Sequence, residues 1–84
     1  MRTYNQLKEI CMFATEGYTP TQQELDTMCI VRPIGIGYGT ANYRILSNPP
    51  HLHLSKDEIA LFCDDGNLPF GFGSRGNYIS VYTD

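Results

Sequence analysis

The sequence predicts one small α+β domain over residues 1–84. We expect an N-terminal helical pair and a third helix to pack on an antiparallel sheet of three or four strands that ends in a C-terminal β-hairpin. Helix-capping patterns precede stretches of helical periodicity, and short stretches alternate apolar and polar residues as strands do. We assign the helical pair to 1–28, strands with a glycine-rich loop to 29–47, and a helix plus hairpin to 55–84. No internal repeat is apparent.

The first helix is predicted over residues 4–15. Thr3 and Gln6 have the spacing of a capping box, in which two side chains bond backbone N–H groups that a helix start leaves open. An apolar stripe at helical spacing follows, formed by Leu7, Ile10, Cys11 and Ala14.

The second helix is predicted over residues 20–28. Pro20 suits the first helical position, because the N–H that it lacks would have no helical partner there. Two overlapping pairs have capping-box spacing, Thr19/Gln22 and Thr21/Glu24. A short loop would join the first two helices as an αα-hairpin.

The middle of the chain has strand character. Residues 29–32 form a β-type run that Pro33 should end, because proline cannot donate to a strand ladder. Residues 34–39 alternate glycine with larger residues, and we interpret them as a loop that presents Tyr38. A strand at 40–47 follows, and a Ser-Asn-Pro-Pro turn ends it.

The C-terminal third predicts one helix and one hairpin. Ser55 and Glu58 form another capping box, which starts a helix over 56–64. Strands are predicted at 68–72 and 78–82, joined by a glycine-rich loop. The predicted core consists of Leu7, Ile10, Leu25, Ile45, Ile59, Phe62, Ile79 and Val81.

The formal net charge of −3 is carried by this C-terminal unit. Its basic residues are Lys56 and Arg75, and its acidic residues are Asp57, Glu58, Asp64, Asp65 and Asp84. Nucleic-acid binding usually needs a basic patch, so this balance argues against direct binding of nucleic acid. An acidic surface is better suited to a basic surface on a protein partner.

Asp64 and Asp65 follow the third helix, where the helix dipole disfavours carboxylates. They form either a solvated turn or, with Asp57, an acidic cluster that faces a partner. Both interpretations stay open at this point.

Tyrosine is the main amphipathic contact residue in a chain without tryptophan. Tyr78 and Tyr82 share one face of the last strand, and Tyr43 is expected on a neighbouring strand. These rings either contact a partner or lie beneath the first helix. Together with Tyr38, Arg75 and the three aspartates, they complete the predicted partner-binding set.

Catalytic and metal motifs are weak. Gly71 to Gly76 match GxGxxG, but a hairpin loop explains them because no helix follows. His51, His53 and Cys63 are the residues from which a metal-dependent or thiol-dependent enzyme would be built, without a second close-spaced ligand pair. Cys11 and Cys29 also lack CxxC spacing, and all three cysteines are expected to be reduced and buried. We predict no cofactor, no metal and no catalytic residue.

We therefore interpret the chain as a non-enzymatic protein-binding module that engages, and inhibits, a larger basic protein that handles nucleic acid. By analogy, its most specific form is a phage-type anti-defence inhibitor of the anti-CRISPR kind. No apolar run reaches membrane-spanning length and no signal peptide is apparent, so a cytoplasmic location is expected. The alternatives are the small enzyme described above and a subunit of a homo-oligomer such as a homodimer.

Overall fold

Three short helices begin at capping boxes. The computed structural model describes residues 1–37 and 39–82, and its helices are α1 (Tyr4–Ile10), α2 (Gln22–Thr27) and α3 (Lys56–Cys63). In each, the N-cap hydroxyl accepts the N–H of the third helical residue, whose side chain accepts the N-cap N–H in return. The pair Thr21/Glu24 is the one that starts α2, so this helix begins two residues later than predicted.

Five strands form one mixed sheet in the described part of the chain. They are β1 (Cys11–Phe13), β2 (Cys29–Gly37), β3 (Thr40–Ser47), β4 (Gly71–Arg75) and β5 (Tyr78–Tyr82). Their order is β1-β2-β3-β5-β4, with β1 parallel to β2 and every other pair antiparallel. The α+β class is confirmed, whereas the prediction of three or four antiparallel strands is wrong.

The additional strand comes from the end of the predicted first helix. That helix stops at Ile10, and the next three residues pair with β2. The N–H of Ala14 continues the ladder by bonding the carbonyl oxygen of Val31 at 2.8 Å. Hydrogen bonds to β2 replace those of a longer helix, so tertiary pairing overrides the helical periodicity. The two N-terminal helices consequently form no αα-hairpin, because β1 lies between them.

Pro33 does not end the second strand as predicted. β1 covers the outer edge of β2 only as far as Val31, so Pro33 lies where that edge has no strand partner. A register shift between Pro33 and Gly35 marks a bulge, a position at which a strand tolerates proline. The predicted glycine-rich loop is therefore largely strand. Tyr38 lies outside the described residues.

The C-terminal hairpin has a shorter turn than predicted. β3 and β5 have the predicted bounds, but β4 begins at Gly71 and extends to Arg75. The turn consists of Gly76 and Asn77 alone. Gly76 has a φ of 59°, which the first central position of a type II′ turn requires.

The three helices share a sequence pattern that ends in a cysteine. A Ser or Thr N-cap is followed by Gln or Glu at the third position, an aliphatic residue next, and cysteine eight residues after the cap. The copies begin at Thr3, Thr21 and Ser55. In the first two copies the helix leads directly into a strand, and the parallel register pairs Cys11 with Cys29. The chain therefore contains a short repeat that the sequence reading missed.

α1 and α2 lie on opposite faces of the sheet. α2 ends at Thr27, one residue earlier in the pattern than α1. Ile30 is fully buried on the face away from Cys29, and the Ser47 hydroxyl donates to the Leu25 carbonyl of α2.

The main core lies between the sheet and the layer of α1 and α3. Six of the predicted core residues are buried there: Leu7, Ile45, Ile59, Phe62, Ile79 and Val81. Ile10 is partly buried at its margin, whereas Leu25 lies on α2, outside this cluster. The rings of Phe13 and Phe62 stack at 4.6 Å between centroids.

None of the described helices is long and apolar enough to cross a bilayer, and the longest has eight residues.

Candidate functional site

A groove of about 380 Å³ opens between α3 and the segment that leads into β4. Its walls include Asp57 and Leu61 from α3, and Leu68, Pro69 and Phe72 from the other side. The lining is mostly apolar. Because Phe72 pairs with buried Val81, the groove lies on the helix-covered side of the sheet.

Two large apolar side chains of the segment that leads into β4 are exposed to solvent. Leu68, which lines the groove, is 81% exposed, and Phe70, which lies between the lining residues Pro69 and Gly71 without lining the groove itself, is 83% exposed. Both belong to residue types that are usually buried. The Phe70 backbone is fixed, since its N–H donates to the Tyr82 carbonyl at 3.1 Å. An exposed apolar patch beside a groove is typical of an interaction site.

Of the predicted partner-facing aspartates, Asp57 lines the groove on its α3 side. Asp64 is the half-buried C-cap of α3, three residues after Leu61, and does not line the groove. Asp57 is exposed and lines the groove directly. Asp65 is exposed in the turn after the helix, where its φ is 53°.

Tyr43 lies on the opposite face of the sheet from the other two predicted contact tyrosines. It pairs with buried Ile79, and its hydroxyl donates to the Cys63 carbonyl of α3 at 3.1 Å. Burial, followed by the negative charges nearby, raises the pKa of Tyr43. This ring connects β3 to α3, and the prediction that it contacts a partner stays a prediction.

Tyr78 and Tyr82 project from the face that α1 and α3 do not cover. They are 38% and 44% exposed and alternate along β5 with buried Ile79 and Val81. Arg75 is exposed at the end of β4, directly opposite Tyr78. The described members of the predicted set therefore do not share one surface: Asp57 lines the groove, Arg75, Tyr78 and Tyr82 lie on the other face of the sheet, and Tyr43 connects β3 to α3.

The cysteines are free thiols in the core rather than part of an exposed site. Cys11, Cys29 and Cys63 are all at least 95% buried. Hydrogen bonding from the Cys29 thiol lowers the pKa of Cys11, and the same interaction together with burial raises that of Cys29. Burial, with nearby negative groups, raises the pKa of Cys63 to about 12.

The residues of the alternative metal hypothesis are in different environments. His51 and His53 are exposed in the connector before α3, whereas Cys63 is buried at the end of that helix. Among residues 1–37 and 39–82, no group of three or more His, Cys, Asp or Glu side chains is arranged to hold a metal ion.

Comparisons of the chain with protein-family models, with curated proteins and with solved structures found no match.

Sequence reasoning missed the groove because it assigned Leu68 and Phe70 to a strand. The signal that pointed the other way was Pro69, which is poorly suited to the interior of a paired strand. Two exposed apolar residues on either side of a proline are consistent with a surface segment. Asp57, in contrast, is a groove residue that already belongs to the partner-binding set predicted from the sequence.

Proposed function

We propose that this chain is a non-enzymatic protein-binding module that docks through the groove beside α3. The observation that carries the proposal is the exposure of Leu68 and Phe70 next to an apolar cleft. Burial of each of these side chains would contribute about 2 kcal/mol of stabilisation, which is absent while they are in water. A partner that covers them recovers this free energy.

The occupant that fits is an apolar segment with basic flanks. Asp57 borders the cleft with a carboxylate, and the half-buried Asp64 follows at the end of the same helix. Lysine or arginine side chains beside the inserted apolar residues would therefore meet opposite charge. An amphipathic basic helix on a larger protein has this chemistry, since it lays an apolar stripe into a groove.

The specific form of the proposal is inhibition of a protein that handles nucleic acid. Such proteins carry basic surfaces, because they neutralise phosphates. A small acidic module that covers one of these surfaces competes with the nucleic acid for it. A phage-type anti-defence inhibitor would act in this way, and the support for this form is the acidic composition together with the groove.

A designed amphipathic helix of Leu and Lys tests the docking step directly. We expect the labelled peptide to bind the wild-type chain in fluorescence anisotropy, and the variants Leu68→Ser and Phe70→Ser to bind about tenfold more weakly. The matched control is Ile36→Ser, because Ile36 is 89% exposed on the β2–β3 hairpin, away from the groove. Equal weakening by Ile36→Ser would contradict docking in this groove.

The charge component is tested separately. Asp57→Lys should weaken peptide binding and flatten its salt dependence, whereas Asp26→Lys on the exposed side of α2 should not. If a second copy of the chain occupies the groove instead, sedimentation will show a dimer that Phe70→Ser dissociates. That result would replace the basic partner with a homo-oligomer.

A further inference from the structure

The strand pairing aligns polar and aromatic residues in rows on β3, β5 and β4, across the sheet face opposite α1 and α3; we call this part of the sheet the open face, and α2 contacts the same side at Ser47, the end of β3. Arg44 on β3, Tyr78 on β5 and Arg75 on β4 are directly opposite one another in register. The next row contains Asn42 and Ser80, whose hydroxyl donates to the Asn42 side-chain oxygen at 2.7 Å. These side chains share a face because residues directly opposite in an antiparallel pair point the same way.

The third row contains a tyrosine ring that lies along a neighbouring strand. Tyr82 pairs with Gly71, and the same face of β4 continues at Gly73. A Cβ on Gly71 would stand 3.3 Å from the ring carbon Cδ2, and one on Gly73 would stand 3.0 Å from the hydroxyl. The ring therefore spans both glycines, and the absence of their side chains permits this position. With 44% of the residue exposed, an aromatic surface is presented beside the arginine row.

The rows of β3, β5 and β4 carry positive charge, whereas α2 on the same side of the sheet carries Glu24 and Asp26. No Asp or Glu occupies a described position in the three rows of β3, β5 and β4. Within residues 1–37 and 39–82, neither Arg44 nor Arg75 makes an ion pair or a side-chain hydrogen bond. Arg32 on β2 pairs with Arg44 and extends this row. Its guanidinium instead donates hydrogen bonds to the carbonyl oxygens of Ala14 and Tyr18. Two free guanidinium groups thus lie on either side of Tyr78.

We infer that this open face binds single-stranded nucleic acid, with Arg44 and Arg75 contacting phosphates and Tyr78 and Tyr82 stacking on bases. Free guanidinium groups match phosphate geometry, and exposed rings on a sheet are the usual platform for unpaired bases. An acidic protein segment could pair its carboxylates with the arginines, but carboxylates do not stack on the Tyr82 ring that lies along β4. The combination favours a nucleic acid whose bases are accessible.

This inference goes beyond the proposed protein docking, which uses the other side of the sheet. It also differs from what the net charge of −3 led us to expect. The fold places Asp57 and Asp64 with α3 on one side of the sheet and Arg44 and Arg75 on the other, where α2 adds Glu24 and Asp26. Their repulsion of a bound strand is screened over about 8 Å at physiological ionic strength.

The test uses fluorescein-labelled oligo-dT and oligo-rU of about ten nucleotides, within the usual range of site sizes. We expect saturable binding at low salt. Arg44→Ala and Arg75→Ala should each weaken it about fivefold and reduce the salt slope by about one. Lys8→Ala is the matched control, because it removes one exposed positive charge from α1 on the other face.

The stacking component is separated from folding by two substitutions of Tyr82. Tyr82→Leu keeps an apolar cover over the β4 glycines but removes the aromatic face, and we expect about tenfold weaker binding. Tyr82→Phe should bind like wild type. Circular dichroism melts establish that each variant is folded.

Any one of three results would overturn the inference. The first is that neither oligonucleotide binds, the second is that Arg44→Ala binds as well as Lys8→Ala, and the third is that Tyr82→Leu binds like the wild type. Binding of labelled polyglutamate in preference to both oligonucleotides would assign the face to an acidic protein segment instead.

Discussion

Arg2 and Glu58 form a partly buried ion pair that attaches the N-terminal segment to the first turn of α3. The Glu58 carboxylate accepts the Arg2 backbone N–H at 3.1 Å and its guanidinium at 3.0 Å. The same carboxylate accepts the Ser55 N–H at 3.0 Å as part of the capping box. The other end of the Arg2 guanidinium donates to the Leu52 carbonyl at 2.7 Å. One carboxylate therefore caps a helix and fixes a second segment.

This arrangement predicts a pH-dependent stability. Burial of Glu58 opposes its ionisation, but the N–H groups of Ser55 and Arg2 and the guanidinium outweigh that effect and lower its pKa from 4.5 to about 2. A carboxyl whose pKa is lower in the folded state stabilises the fold above pH 4.5, and this contribution is lost as pH falls towards 2. Urea unfolding of the wild type between these pH values should show the decline.

Glu58→Gln removes the charge while it keeps the shape of the side chain. We expect a loss of about 2 kcal/mol at neutral pH, because the buried hydrogen bonds to a charged group are weakened. The decline in unfolding free energy at acid pH should become shallower than in the wild type. Glu9→Gln on the exposed side of α1 makes the same charge change and serves as control. Equal pH profiles for the wild type and Glu58→Gln would contradict this account.

Tyr43→Phe should destabilise the protein by about 1 kcal/mol. The substitution removes the hydroxyl that donates to the Cys63 carbonyl, and it leaves that oxygen partly buried without this partner. Chemical denaturation measures the effect. Tyr18→Phe is the comparison, because its hydroxyl donates to Glu24 at an exposed site where water replaces the bond. If both substitutions cost the same, the bond between β3 and α3 has no special role.

Gly66→Ala should cost about 2 kcal/mol, more than Gly17→Ala. Both glycines have positive φ, 85° for Gly66 and 91° for Gly17. A Cβ on Gly66 would also stand 2.8 Å from the Tyr4 ring, whereas nothing lies within 4 Å of one on Gly17. The difference between the two variants in urea unfolding isolates the steric contribution. Equal losses would show that the Tyr4 ring moves without cost.

The three cysteines should be inaccessible to Ellman's reagent in the native protein. Each is at least 95% buried, and burial raises the pKa of Cys63 to about 12, which keeps its thiol protonated. We expect slow labelling under native conditions and three reactive thiols in guanidinium chloride. Fast native reaction of any thiol would indicate local opening of the core around it. The variants Cys11→Ala, Cys29→Ala and Cys63→Ala identify the reactive site.

The sequence was sufficient for features that depend on neighbouring residues. The capping boxes at Thr3 and Ser55 fixed two helix starts, because the groups that satisfy one another lie three residues apart. For α2 the sequence left Thr19/Gln22 and Thr21/Glu24 open, and the structure shows the second pair. The strands at 40–47 and 78–82 followed from alternation, because one of their faces is buried. The sequence also contains the repeated pattern that ends in cysteine. The sequence analysis missed this pattern because only a few positions define it.

Tertiary structure decided the features that depend on distant partners. The stretch from Cys11 to Phe13 has helical periodicity, yet it becomes a strand because the edge of β2 offers it hydrogen bonds. Pro33 stays within β2 because β1 ends beside Val31. No neighbouring strand at that edge therefore needs the backbone N–H that proline lacks. Neither outcome can be read locally, since each depends on a strand many residues away.

The surfaces also depend partly on the sequence and partly on the fold. The sequence by itself determined which residues carry charge and aromatic character, including Asp57, Arg75, Tyr78 and Tyr82. Only the strand order brought Arg44 beside Tyr78 and placed both on the face opposite α3. A net charge is a sum over the chain, whereas a binding surface depends on which side of the sheet each charge occupies. That assignment is made by strand register and by the packing of the helices.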